Sequence, residues 1–378
     1  MPRFRSSTFL DIYKPSISSP FALMMAPITA ITNVRVFDGQ KIRDSSTVVI
    51  DDELIAGPDA IPTKTIDAGG AILLPGFIDC HIHLRGPDDL ARMAEFGVTT
   101  ALDMGTWPID LLISLRGRKG VTDIRACGIA ATAPGSVHSH IPTLPRDALV
   151  SNVAEAKQFV ADRVAEGADY IKIVADVPGP DQETVNALVQ NAHLNDKLVV
   201  AHAISLVATH MSQDAGVDFI THAPLDGVMS EEDIQRMVEN KRISIPTLTM
   251  MKGVSQAKKL DFDNARKTVA ALHFAGVPVL AGTDANMSPG VPANVAHGVS
   301  LHEELELLFG CGLSTAEVLR AATSLPAKYF GLHDRGVIQP GYRADLILIK
   351  DDPIEDIKAT RSLQRVWIAG QELKLPQT

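Results

Sequence analysis

The sequence predicts an α/β protein: a (β/α)8 TIM barrel joined to a small β-sandwich domain built from both ends of the chain. Three observations predict it. Apolar runs with strand character recur eight times between about residues 74 and 335, with helical patterns between them. Polar, chemistry-bearing residues stand at the ends of several of these runs, where a barrel of this kind carries its chemistry. Short alternating bursts bounded by turn residues occupy both ends of the chain. The expected division is a flexible leader at 1–26, the small domain at 27–73 plus 336–378, and the barrel at 74–335.

In chain order, Met1 to Pro20 is rich in Ser and Pro, with Arg3 and Arg5, and reads as a loose leader. Phe21 to Ala26 is apolar but too short and too late for the core of a signal peptide. Asp11 and the prolines argue against a mitochondrial leader. A tail, or a start at Met24 or Met25, is the plainer reading, with an organelle leader left open. Ile31–Gly39, Ser46–Ile50 and Thr65–Asp67 then read as strands of a small sheet, with turns at Asp38-Gly39 and Gly57-Pro58-Asp59. Val337–Gly341, Ala344–Ile349 and Arg365–Gly370 have the same texture.

The barrel strands expected are Phe77–His83, Val98–Met104, Ile124–Ala131, Tyr170–Ala175, Leu198–His202, Phe219–His222, Ile243–Leu248 and Val277–Asp284. Helical patterns lie at Val153–Glu166, Gln182–Ala192, Ile204–Ala215, Glu231–Glu239 and Asn264–Phe274.

Composition narrows the partners. The 378 residues, 46% of them hydrophobic and 21% charged, are ample for a large core. A formal charge of −10 argues against nucleic acid or an anionic membrane surface as partner, which leaves a small-molecule substrate. No apolar run approaches the roughly 18–20 residues of a membrane span. Three cysteines without CxxC spacing fit a reducing, cytoplasmic compartment. Twelve histidines point to metal.

His81 and His83 are two apart on a strand, so both should face the same side, and two imidazoles there can grip one metal ion. Cys80, between them, should point the other way, toward the helices, as packing. Lys172 stands alone in the apolar run Tyr170-Ile171-Lys172-Ile173-Val174, where a charged ammonium would be costly to desolvate. His202, His222 and Asp284 end the fifth, sixth and eighth runs. His138 and His140 follow the third strand, so their loop should lie at the barrel mouth, where one of them could touch substrate. His297, in a Pro-rich loop, is a candidate rim contact, whereas His302 reads as helix surface or packing. His193, His210, His273 and His333 read as structural or solvated. Met250, Met251 and the loop Asn286–Pro292 would supply an apolar wall.

The run Pro75-Gly76-Phe77-Ile78-Asp79-Cys80-His81-Ile82-His83, the triplet Gly282-Thr283-Asp284 and the tail from Asp334 to Leu346 resemble the amidohydrolase superfamily of metal-dependent hydrolases. The resemblance covers nearly everything after about residue 28. It is strongest to the imidazolonepropionase-related, metal-dependent prolidase-like branch, whose strand-four lysine is carboxylated. It implies His81, His83, Lys172, His202, His222 and Asp284 as ligands of two divalent metal ions, with a CO2-derived carbamate on Lys172 bridging them. A donor set rich in N and O, without thiolate, favours zinc and leaves manganese, cobalt or iron open.

The resemblance further implies hydrolysis of a small-molecule amide C–N bond by a metal-bridging hydroxide, with Asp284 as general base and acid. Arg85 is similar in position to an arginine that holds a substrate carboxylate in cyclic-amide hydrolases. Ile204 stands where prolidase-like relatives often carry a tyrosine that helps hold the substrate, so a substrate other than a peptide is expected. An ester or lactone on the same site is the alternative. A mononuclear deaminase would lack the strand-four lysine and carry an added acid near the strand-five or strand-six histidine; the sequence has the lysine and shows no such acid. A non-catalytic scaffold of this fold would have lost ligands, and all six are present. Relatives often dimerise, so the resemblance is compatible with a homo-oligomer.

Overall fold

The computed structural model describes residues 27–375, so the expected leader at 1–26 and the last three residues of the small domain lie outside the described residues. The chain opens with β1 (Thr29–Phe37), β2 (Ile42–Asp51), β3 (Leu54–Ile55), β4 (Lys64–Asp67) and β5 (Ile72–Pro75). An alternating series follows: β6 (Phe77–Ile82), α1 (Pro87–Glu95), β7 (Val98–Asp103), α2 (Ile109–Leu115), β8 (Asp123–Ala126) and α3 (Val153–Ala165). It continues through β9 (Ile171–Val174), α4 (Gln182–Leu194), β10 (Val199–His202), α5 (Leu206–Ala215), β11 (Phe219–Thr221), α6 (Glu231–Glu239), β12 (Ile243–Ile245), α7 (Leu248–Lys258) and α8 (Phe262–Phe274). Helices α9 (Val299–Gly310), α10 (Thr315–Ala321) and α11 (Ser324–Tyr329) lead to β13 (Leu346–Ile349), β14 (Leu363–Ile368) and β15 (Gln371–Glu372).

The first and last strands among the described residues form one mixed eight-stranded sheet, in the order β15-β14-β13-β5-β1-β2-β3, with β4 also paired to β1. β1 changes partner along its length: Thr29–Thr32 pair with β4, and Arg35 and Val36 pair with β5. The changeover falls at Asn33, whose φ of 50° is a left-handed conformation that asparagine tolerates. Ile31, Val34, Ile50, Leu73, Leu346 and Trp367 build one side's core. Two sequence expectations fail here. Val337–Gly341 is not a strand. β5, read as no element, is a central strand with all four residues buried. Burial on both faces makes it a short continuous apolar run, which carries no alternation to read.

The middle of the chain supplies two parallel sheets, β6-β7-β8 and β12-β11-β10-β9. Single bridges connect them at Ala131↔Ile173, and connect the expected eighth strand, Val277–Asp284, at Ser244↔Val279 and Ile82↔Ala285. That eighth stretch has no regular strand. Pro278 cannot donate to a ladder, although its carbonyl accepts from Ser244 N. Gly282 lies so close to its neighbours that a Cβ there would sit 2.6 Å from Ile245 Cγ2 and 3.2 Å from His81 Cβ. Gly282→Ala is therefore expected to lower stability by about 1–3 kcal/mol, read from the denaturant midpoint; an unchanged midpoint would show that the backbone yields there. The expected Ile243–Leu248 strand stops at Ile245, and Leu248 already opens α7.

Ile82 packs with the helix-side cluster that includes Phe77, Leu90 and Met93. Ile78, Cys80, Leu102, Tyr170, Val200 and Phe219 form a separate cluster contributed by successive parallel strands. Cys80 was expected to face the helices, and the structure corrects this: Cys80 belongs to the inter-strand cluster. The pairing of β6 with β7 shifts register between Asp79 and Ile82, and this irregularity breaks the two-residue alternation just before His81. The tail that carries the resemblance has a structural task. Buried Arg335 reaches Thr100 Oγ1 at 2.9 Å and Asp123 Oδ2 at 2.7 Å, and Arg343 pairs with Asp123 and Asp345, which ties β7 and β8 to the terminal sheet. No helix among the described residues is long and apolar enough to cross a membrane.

Candidate active site

The ends of the parallel strands bring the polar residues together. His83 Nε2 lies 3.1 Å from Asp284 Oδ1, and His81 Nε2 lies 3.5 Å from the same oxygen. His222 Nδ1 is 4.0 Å from Asp284 Oδ2. His81, His222 and Asp284 each offer one ligand atom within 4.8 Å of the others, and all three are buried. Local backbone aims them. His222 (φ 76°) and Asp284 (φ 55°) are left-handed, a conformation that costs about 1–3 kcal/mol for a non-glycine residue and persists only where surroundings impose it. The imposed bonds are His222 N to Ile245 O at 2.9 Å and Asp284 N to His81 O at 2.8 Å.

A buried carboxylate sets the spacing of the two strands behind this cluster. Asp79 accepts from His81 N at 3.2 Å, Thr283 N at 3.0 Å and Thr283 Oγ1 at 2.7 Å. Burial outweighs these donors and pushes Asp79 up to about 7. Asp103, at the end of β7, accepts from Thr106 Oγ1 at 2.6 Å, and burial raises it to about 6. His83 Nδ1 lies 3.3 Å from Gly105 O. Burial works against protonation of His83, but the Asp284 carboxylate prevails and raises its pKa. His81 is lowered by burial and then by Lys172, and His222 by burial and then by His202.

A second group adjoins the first. Lys172 is 2% exposed, and its Nζ donates to Thr221 Oγ1 at 3.1 Å. Burial draws its pKa down to about 8, so the neutral amine is accessible near neutral pH. His202 Nδ1 lies 2.7 Å from His222 Nε2, which joins the two groups. On its far side, His202 Nε2 lies 2.8 Å from Asp176 Oδ2. Burial opposes ionisation of Asp176, but His202 prevails and holds its pKa below the ordinary value. The His138 ring stands edge-on to His202 at 4.8 Å, and burial followed by His202 depresses it to about 3. His138, Asp176 and His202 again offer ligand atoms within 4.8 Å of one another.

The remaining expected residues fall elsewhere or are already engaged. His140 is exposed, with Nδ1 2.9 Å from Ser136 O. Arg85 pairs with Asp89 at 3.1 Å and also donates to Met287 O. His297 is buried rather than at a rim, with Nε2 2.8 Å from His83 O. Met250 is buried on α7. Ile204 is half-buried, and its N–H donates to Asp176 Oδ1 at 3.0 Å. Asp176, Asp79, Asp103 and Thr247 were missed. Asp176 follows the fourth apolar run directly, and the rule that finds polar groups at strand ends would have reached it.

The donor set suits a divalent cation. It offers imidazole nitrogens, carboxylate oxygens and one buried amine, with no thiolate facing them. Nδ1 of His81 is buried without a hydrogen-bond partner, a demand that a cation in this cluster would relieve by reorienting the ring.

Parallel strands with helical crossovers, and a histidine-carboxylate cluster at the strand ends, define an α/β enzyme of the metal-hydrolase type. The amidohydrolase family model matches residues 72–373, and the chain belongs to that family of hydrolases. It is 24% identical to an ochratoxinase of Aspergillus niger, over 90% of this chain and 85% of that protein. It is 28% identical to an adenine deaminase of Deinococcus radiodurans, over 78% of this chain and 53% of that protein. The solved structure of a Xaa-Pro dipeptidase with bound methionine shares the fold, with a TM-score of 0.79 at 23% identity over 92% of this chain and 99% of that one.

Proposed function

We propose that this hydrolase cleaves an amide C–N bond of a small molecule at a two-metal site. The observation that carries the reading is a buried lysine whose charge acts on His81 and His222, in a cluster of four histidines and an aspartate at one end of the parallel strands. His81, His83 and Asp284 would hold one divalent ion, zinc by donor type, and His202 and His222 the other. Lys172, as its carbamate, would reach both. Bound there, the ions would lower the pKa of a water and polarise the substrate carbonyl.

The chain's own residues supply the rest. Neutral Lys172 Nζ attacks CO2; a C–N bond forms and one proton is released. Asp284 accepts a proton from the attacking water and returns it to the leaving nitrogen. His138, kept neutral by burial, donates an N–H to the carbonyl oxygen. Ile204 leaves the strand-five side apolar, and Arg85 is already paired with Asp89, so a substrate without a free carboxylate suits the mouth better than a peptide. Esters and lactones remain the alternative within the same site.

The reading takes the two parallel sheets and the irregular eighth stretch as one closed barrel, supported by the three single bridges. It takes the terminal sheet as the small sandwich domain. It assigns a cytoplasmic setting from cysteine usage and no nucleic-acid or membrane partner from charge, and it is compatible with a homo-oligomer.

One observation favours deamination as a second reading. Asp176 is an acid beside the strand-five histidine, at 2.8 Å. Assays of N-acyl amino acids, aryl amides, lactones and aminopurines, with ammonia measured separately, divide the two. Reconstitution tests the lysine. Metal-stripped protein given zinc plus bicarbonate should regain activity about tenfold or more faster than with zinc in CO2-depleted buffer at pH 8. Equal recovery would remove the carbamate from the proposal.

A further inference from the structure

Asp176, His202, His222 and Thr247 form one directional hydrogen-bonded chain. Asp176 Oδ2 lies 2.8 Å from His202 Nε2, and a carboxylate only accepts, so Nε2 carries a proton and, in the neutral ring that a metal ligand must be, Nδ1 presents a lone pair. That lone pair is 2.7 Å from His222 Nε2, which must therefore donate in the metal-free protein. His222 Nδ1 is then an acceptor, 2.8 Å from Thr247 Oγ1, whose hydroxyl donates.

Neither end of this chain is loose. Asp176 Oδ1 is engaged by Ile204 N at 3.0 Å, so the carboxylate cannot turn away from His202 without losing a second bond. Thr247 is left-handed (φ 48°), and the two residues after it are clamped by buried Glu304. Glu304 accepts from Leu248 N at 2.9 Å, Thr249 N at 2.7 Å and Thr249 Oγ1 at 2.8 Å.

The functional reading above places a cation where His202 Nδ1 and His222 Nε2 meet, and the present inference rests on it. His202 already has the tautomer a cation needs. His222 does not: its proton must leave Nε2 and appear on Nδ1, with no net change in charge. Nδ1 then donates, and its partner must change from donor to acceptor. A carboxylate or a backbone carbonyl could not have been the donor of the metal-free state, and a backbone N–H could not become the acceptor. A hydroxyl can do both.

We propose that Asp176 and Thr247 are positioning residues for metal uptake. Asp176 presets the His202 tautomer, and the Thr247 hydroxyl reverses its hydrogen bond as His222 changes tautomer.

Histidine 15N spectra of the metal-stripped full chain test the first half. Both His202 and His222 should be protonated at Nε2, and zinc should move the His222 proton to Nδ1 while leaving His202 unchanged. Protonation of His202 at Nδ1, or of His222 at Nδ1 before zinc is added, overturns the inference. Zinc dissociation constants from chelator competition test the second half. Asp176→Asn and Thr247→Val should each weaken binding about 10–100-fold, and Thr247→Ser should stay near wild type. A tightly binding wild type with an unaffected Thr247→Val overturns the switch alone. A wild type that binds no zinc overturns the functional reading and the switch together.

Discussion

Lys172→Met should abolish hydrolysis, by about 10³-fold or more, while leaving the metal-free protein at least as stable as wild type. Outer partners of metal ligands typically cost about 10–100-fold, and a residue in the bridging role proposed for Lys172 should cost more. Methionine fills nearly the same volume as lysine, so no cavity term is added. It also removes a buried amine whose ionisation burial already opposes, at about 8. The sign of the pH dependence follows. The unfolded lysine titrates near 10.5 and the folded one near 8, so between these values the unfolded chain binds more protons. Metal-free wild type should therefore gain stability as pH rises from about 8 to 10.5, and Lys172→Met should lack that slope. Melting temperatures across this range, metal content and turnover are the readouts. Retained hydrolysis in Lys172→Met would sink the two-metal proposal.

Asp284→Asn should lower kcat by about 10²–10⁴-fold with a smaller change in KM, because the amide can neither take the proton nor serve as the anionic ligand proposed there. The substitution is unusually clean for the backbone. Residue 284 sits at φ 55°, and asparagine is among the few non-glycine residues enriched there. The fold should persist, as circular dichroism and the melting curve would show. Activity within tenfold of wild type would remove Asp284 from the proton path.

Much of this arrangement is legible in the sequence, because strand ends are where polarity interrupts apolar runs. His202 and Lys172 stand out in that way, and both fall where a simple strand reading puts them. The rest fails for local reasons. Alternation places Cys80 and His81 on opposite sides, but a register shift at Asp79–Ile82 breaks the count. His222 and Asp284 reach the centre through left-handed backbone, which histidine and aspartate tolerate better than most residues but which the sequence pattern does not locate. Asp176 lies 26 positions from His202 and touches it only after β9 and β10 pair side by side. His297 reads as a rim residue from its Pro-rich surroundings, yet it is buried against the His83 carbonyl. β5 is missed because a strand buried on both faces has no period.

The pairing of β5 with β13 has a consequence for how the chain is made. Leu73 bonds opposite Leu348, so a central strand of the terminal sheet has one neighbour encoded about 270 residues later. At a synthesis rate of roughly 5–20 residues per second, that edge stays open for about 15–55 s after β5 is made. Throughout that interval Ile72-Leu73-Leu74 presents unpaired amides and apolar side chains, the pattern that templates pairing between chains. Ribosome-bound, C-terminally incomplete chains are thus the form of this protein most exposed to aggregation. A strand that emerges late seals one made much earlier.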